Sequence, residues 1–350
     1  MRNPIFDFLK SLAIVLVVLQ HFMMCLGLGM EMMNVWPGKL ITMVNMPLFI
    51  FISGWFATSL HKKSFRQLVT TRYASMVRPT IVYSVLSAVI CGLLTSTLPN
   101  TLTGSGKYLI HSLISSYWFV WVILYCTIAT WFTFAICGIW NKDKVSWHIE
   151  VLLLVALFAV VCFIPNGSVP HIHYFKAMFP FYIMGYISRC IGFFERLKLH
   201  QLQITVLCGL LYMAASFMYK GEWSFYYFGL TTMPTLAYRY GLMIVLALCG
   251  IVLLYFLSEY FLSGAKGRRK RVSTIIGKAT ELGGLTLAIY LIQGVIMAIL
   301  DCYRDYLQIT ETWANFTLSL CCTLLFMVLV YCFIKSVQKS KWLSRYLLGK

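Results

Sequence analysis

Asp7, Lys10, Gln20 and His21 lie within one string, DFLKSLAIVLVVLQH, whose remaining residues are almost all apolar. At 100° per residue, the eleven steps from Lys10 to His21 turn through about 1100°, roughly 20° past three full turns, so both side chains share a helical face. Asp7 falls within about 60° of Lys10 and about 40° of His21 by the same arithmetic. The outcome is a single stripe, with an ion pair at one end and an imidazole roughly 16 Å further along. An imidazole takes or gives one proton near neutral pH, which suits general-base removal of a hydroxyl proton. The bland alternative is a histidine bonded to a neighbouring helix without chemistry.

Other polar groups stand where they are expensive. The second apolar stretch contains NMPLFIFISGWF, in which Pro47 is expected to kink or open the helix and free carbonyls near Asn45. Ser53 and Gly54 follow about two turns later and allow close approach of a helix or a ligand. In TLAIYLIQ, Tyr290 and Gln293 lie within about 40° of Thr286 and form a second polar stripe, which either hydrogen-bonds a substrate or orients His21. Tyr117 and Trp118 open YWFVW as an aromatic belt or as part of a site wall, and WSFYYF is an interfacial anchor or a stacking platform for a sugar. His171 and His173 form an HxH pair without a third or fourth ligand in view, so no metal is expected.

The elements that must carry these groups are membrane helices. Hydrophobic residues make up 60% of the 350 and charged residues 11%, against roughly 25% charged in soluble domains. Apolar runs occupy residues 8–28, 41–60, 80–98, 117–140, 149–164, 175–194, 202–219, 240–257, 283–300 and 313–334, each able to cross or nearly cross a bilayer core of about 30 Å. The expected fold is all-α: about ten transmembrane helices in one bundle, a single membrane domain over 1–350. Of the 29 Lys and Arg, only Lys39, Lys107, Lys176, Lys220, Arg239 and Arg304 fall in alternate loops on one side. Basic residues are retained on the cytoplasmic side, so both termini are expected there. The charge of +18 then needs no nucleic acid, and the densest run, GAKGRRKR, reads as an anchor on anionic lipid headgroups. The twelve cysteines make no paired CxxC motifs and read as small apolar fillers.

D-x-x-K-x10-H on the first span, MPLFIFISGWF, a basic loop ending in Arg78-Pro79, then YWF, FPFYIMGY and LAIYLIQ together resemble the acyltransferase-3 family of integral membrane O-acyltransferases. The form with lysine at position 10 is similar to its fucose 4-O-acetylase-like branch. The resemblance implies transfer of an acyl group, usually acetyl, from a cytosolic acyl-CoA to a sugar hydroxyl of a surface or secreted glycan. It also implies a multi-pass protein of the bacterial cytoplasmic (inner) membrane, with acetyl-CoA or another acyl-CoA as donor and no permanently bound cofactor.

Under that resemblance, His21 matches the essential histidine of the first span, and Lys10 stands where most members carry arginine, keeping the charge without the bidentate fork. Arg72 and Arg78 correspond to an arginine pair before a proline. Lys62, Lys63 and Arg66 extend the basic inner loop as coenzyme A phosphate contacts. Gln293 stands where many members carry histidine, which leaves hydrogen bonding but not proton transfer. Asn45, Ser53 or Gln293 would steady an oxyanion, with direct transfer and a covalent acyl-histidine both open. The rival class, a transporter or flippase for a glycan or its precursor, would use the same stripe as a proton relay.

Overall fold

The structure is a computed structural model that describes residues 3–95, 106, 109–140, 146–218, 233–265 and 277–349. Residues 266–271 of the basic run and the WSFYYF loop at 223–228 lie outside the described residues. Among the described residues there is no strand, and the chain is an all-α membrane protein. The principal helices are α1 (Pro4–Met23), α2 (Trp36–Thr42), α3 (Asn45–Trp55), α4 (Phe65–Arg72), α5 (Arg78–Thr95), α6 (Trp118–Trp140) and α7 (Trp147–Cys162). They continue with α8 (Ile172–Cys190), α9 (Phe193–Leu197), α10 (Gln201–Met218), α11 (Met233–Ala265), α12 (Thr286–Cys302) and α13 (Thr312–Val337). A helix stands on each of the ten apolar runs, and among the described residues seven helical stretches are long and apolar enough to cross a membrane by length and composition.

The chain divides into two compact units. The first comprises Met1–Asn45, Thr71–Val120 and Leu257–Lys350. In it α12 packs against both α5 and α1, and α13 packs against α1 and α12, with Phe22 meeting Phe326 edge-on at 6.0 Å. α1 starts cleanly, because the Asn3 side chain accepts the Ile5 N–H at 3.0 Å and Pro4 occupies a position whose N–H a helix does not use. Its far end is set by Gly27, at φ 131°, where the Ile309 N–H donates to the Leu26 carbonyl at 2.9 Å. A Cβ at Gly27 would stand 2.4 Å from that same nitrogen, so both the dihedral and the contact demand glycine.

The second unit comprises Met46–Thr70 and Trp121–Phe256. α3 and α8 touch backbone to backbone: a Cβ on Gly54 would lie 1.9 Å from the Tyr182 carbonyl oxygen, and one on Gly185 would lie 2.0 Å from that of Phe51. Small residues at such a crossing let two helices approach closely in lipid, which assigns Gly54 to packing. Pro47 agrees with expectation: the run opens at residues 43–44, between the end of α2 at Thr42 and the start of α3 at Asn45, and Pro47, four residues after Met43, has no N–H to bond the Met43 carbonyl. The interior proline is Pro180, within α8.

Bare apolar side chains point outward. Leu202, Val206, Leu207 and Leu210 on α10, and Leu324, Leu325, Val328 and Leu329 on α13, are all exposed. Continuous apolar faces of this kind are unfavourable in water and natural against acyl chains.

Candidate active site

The first unit carries the stripe. Lys10 Nζ stands 3.3 Å from Asp7 Oδ1, both partly exposed at the start of α1. Ser11, one residue further, donates its hydroxyl to the Ala279 carbonyl and ties α1 to the segment before α12. Deeper along α1, the imidazole of His21 is part-buried, with Nδ1 2.8 Å from the Val17 carbonyl oxygen. A carbonyl only accepts, so Nδ1 carries the proton in this contact and Nε2 keeps the lone pair. Nε2 has no partner among the described residues. Beside it, the buried Gln20 Oε1 accepts from the Asn45 amide, which engages Asn45 in holding the turn next to the histidine.

Two contacts bracket His21, one between α1 and the turn before α12, the other between the turn after α1 and α12. At one end the Asp7 backbone lies against Gly283. At the other, Cys25 Sγ is 3.5 Å from Met297 Sδ. The two segments therefore run in the same direction. One turn back, about 6 Å, from Cys25 and Met297 come His21 and Gln293, while counting from Asp7 and Gly283 sets His21 about one turn further along, so the two stand within about one turn of the same level.

Tyr117 and Tyr290 converge on that level. Tyr117 is fully buried and donates to the Leu291 carbonyl at 3.0 Å, while Tyr290 donates to the Ser116 carbonyl at 3.2 Å. Their rings meet edge-on at 6.0 Å. Gly294 leaves room for this, since a Cβ there would stand 2.4 Å from the Tyr117 ring. Trp118 is half-buried and turns edge-on to Phe119 at 5.8 Å. α5 packs along α12, and Cys91 lies beside Cys302. The phenol of Tyr117 is within electrostatic reach of those of Tyr83 and Tyr290.

Arg72 and Arg78 belong to this unit as well. Arg78 donates to the Ala74 carbonyl at 3.2 Å and stacks over Tyr346 at 5.3 Å, and Arg72 lies 3.7 Å from the Met76 sulfur. Ser53, Lys62, Lys63 and Arg66 belong to the second unit. The Ser53 hydroxyl donates to the Phe49 carbonyl at 2.9 Å, a bond within its own helix. Lys62 and Arg66 are exposed, and the Lys63 carbonyl accepts the Trp131 indole N–H at 2.8 Å.

Two polar groupings escape a reading of the sequence by spans. In the second unit Glu150 is buried in the first turn of α7, accepts the Tyr186 hydroxyl and lies 3.4 Å from His61 Nε2, whose ring stacks flat on Phe134 at 3.9 Å. The signal was a carboxylate inside an apolar run. In the first unit Tyr83, Ser84 and Ser112 are buried polar residues on α5 and on the turn that precedes Tyr117. Their signal was the spacing of Tyr83 and Ser84 on the inward face of the third span.

An all-α bundle in lipid, with an ionisable stripe leading to a histidine, suits a membrane enzyme or a transporter of polar substrates alike, and comparison with known proteins separates the two. A family described as an acyltransferase domain matches residues 3–332. The chain belongs to this acyltransferase-3 family and is a multi-pass membrane acyltransferase. The nodulation protein NolL of Mesorhizobium japonicum is 27% identical over 327 residues, covering 89% of this chain and 80% of the relative. The protein of the same name from Sinorhizobium fredii is 28% identical over 202 residues, 53% of this chain and 48% of its own. No solved structure matches the chain.

Proposed function

We propose that the protein transfers an acyl group, acetyl in the first instance, from a cytosolic acyl-CoA to a hydroxyl of a cell-surface or secreted glycan, with His21 as general base. The observation that carries this is the 2.8 Å approach of His21 Nδ1 to the Val17 carbonyl oxygen, which in the neutral ring puts the proton on Nδ1 and leaves the Nε2 lone pair to accept one. In the proposed step Nε2 takes the proton of the sugar hydroxyl as its oxygen bonds to the thioester carbonyl carbon. The carbon–sulfur bond then breaks, and the leaving thiolate of coenzyme A takes the proton back from His21.

Gln293, within about one turn of the level of His21, is assigned to hydrogen bonding at the reacting carbonyl. Lys10 and the arginines Arg72 and Arg78 are assigned to the donor's phosphates, and Lys62, Lys63 and Arg66 remain candidates for the same role on sequence grounds. Asn45 acts through Gln20, which makes it a positioning residue. The acetyl assignment rests on the acyl group usual in the family, and the fucose 4-O-acetylase-like branch rests on the lysine at position 10. The proposed setting is a bacterial inner membrane crossed about ten times, with both termini cytoplasmic.

Mass spectrometry of surface and secreted polysaccharides from cells with and without the gene tests the substrates. Loss of one acyl group from an otherwise exported glycan is expected. Loss of export with the ester pattern unchanged would point instead to a transporter.

A further inference from the structure

Arg78 opens α5 at the end of the wide helical turn Tyr73–Val77, within the first unit. Its guanidinium donates to the Ala74 carbonyl at 3.2 Å, and its Nε is buried without a hydrogen-bond partner among the described residues. A cationic donor in that condition keeps capacity for an anion. What restrains it comes from far along the chain.

The segment after α13 folds back onto this turn. Ser340 caps it by accepting the Leu343 N–H at 3.3 Å, and two short helical turns, Lys341–Leu343 and Ser344–Leu348, end at Gly349. Gly349 has φ 68°, and a Cβ there would stand 2.6 Å from the carbonyl oxygen of Ser75, midway in sequence between Arg72 and Arg78. Leu348 is buried, and its turn packs on α5, α12 and α13. The docking brings Tyr346 to Arg78, with the guanidinium carbon 5.3 Å from the ring centre, and the Trp342 ring lies 5.0 Å from that of Tyr346.

We infer that Tyr346 is a positioning residue of the donor site, whose ring aims the Arg78 guanidinium at a phosphate of acyl-CoA. An aromatic face attracts and orients a guanidinium without neutralising it, whereas a carboxylate would take up the charge and the fork together. Neither residues 71–80 nor residues 339–349 include an acidic residue. The neighbouring chain thus restrains the arginine and leaves its charge for a ligand. The inference rests on the assignment of Arg78 to the donor's phosphates, and it brings the segment after α13 into the same site.

Calorimetric titration of the full-length protein in phosphatidylcholine nanodiscs, with acetyl-CoA and with pantetheine as probes, tests it. Tyr346→Leu keeps bulk but loses the ring face. It is expected to raise the Kd for acetyl-CoA at least about fivefold, while Tyr346→Phe binds like the parent. Pantetheine, which has no phosphate, should bind parent and Tyr346→Leu alike. Arg78→Ala is expected to raise the Kd for acetyl-CoA at least about tenfold, and adding Tyr346→Leu to it should weaken binding no further, since the tyrosine acts through the arginine. Undiminished acetyl-CoA binding in Tyr346→Leu, weakened binding in Tyr346→Phe, equal losses for the two probes, or a further loss in the double variant would each overturn the inference. Parent-like binding of acetyl-CoA by Arg78→Ala would instead sink the phosphate assignment beneath it.

Discussion

The backbone of Asp7 lies so close to Gly283 that a Cβ on the glycine would stand 1.8 Å from the Asp7 carbonyl oxygen. That contact, with the Cys25–Met297 pair one bundle-length away, sets how far α1 is shifted along α12 and so which residue of α12 faces the level of His21. Gly283→Ala is therefore expected to push the segments apart at a cost of about 1–3 kcal/mol, the usual range for overpacking. A thermal melt in detergent should show a clear drop, while Gly241→Ala, with open space around it, should not.

The ion pair of Lys10 and Asp7 is partly exposed, so it contributes little to stability, about 0–1 kcal/mol. Lys10→Ala should melt like the parent protein yet show a raised KM for acyl-CoA with kcat little changed, if the ammonium serves the donor. Lys10→Arg should restore the parent KM. A variant that loses stability and leaves KM untouched would assign the lysine to structure.

Tyr186 is the hydroxyl donor to buried Glu150. Tyr186→Phe leaves a buried carboxylate one hydrogen bond short, with His61 still 3.4 Å away, and is expected to destabilise by about 1.5–3 kcal/mol, the range for a hydrogen bond to a charged group. Glu150→Gln keeps an acceptor for the tyrosine and should cost less. Comparing the two melting midpoints checks the order.

At the start of α13, outside the apolar helix proper, the Glu311 carboxylate accepts the backbone N–H groups of Ala314 and Trp313, which hold its pKa below the usual glutamate value. A depressed carboxylate stabilises the helix start at pH above its unfolded value and loses that effect as pH falls through the folded one. Hydrogen exchange at the first turn of α13, corrected for intrinsic rate, should accelerate in that acidic window, and Glu311→Ala should show the faster exchange at neutral pH.

Much of the fold and part of the site are legible in the chain. Apolar runs of fixed length announce helices because lipid leaves the backbone no other partner, and the period of 3.6 by itself puts Asp7, Lys10 and His21 on one face. What periodicity cannot give is the shift of one helix along another. That shift is fixed by a glycine contact at Gly283 and by the sulfurs of Cys25 and Met297. Nor does a residue type reveal its partner. Ser53 and Ser84 look alike in sequence, yet the first donates to its own helix and the second is left without a partner among the described residues.

His21 carries the central claim. The most direct measurement is the ester content of the glycan, by mass spectrometry, in a deletion strain expressing His21→Ala at the parent level in the membrane. The account predicts ester at the level of the empty deletion strain, with transfer of labelled acetyl from acetyl-CoA lowered by at least about a hundredfold, the order expected when a general base is removed. Normal ester content in that strain would contradict it.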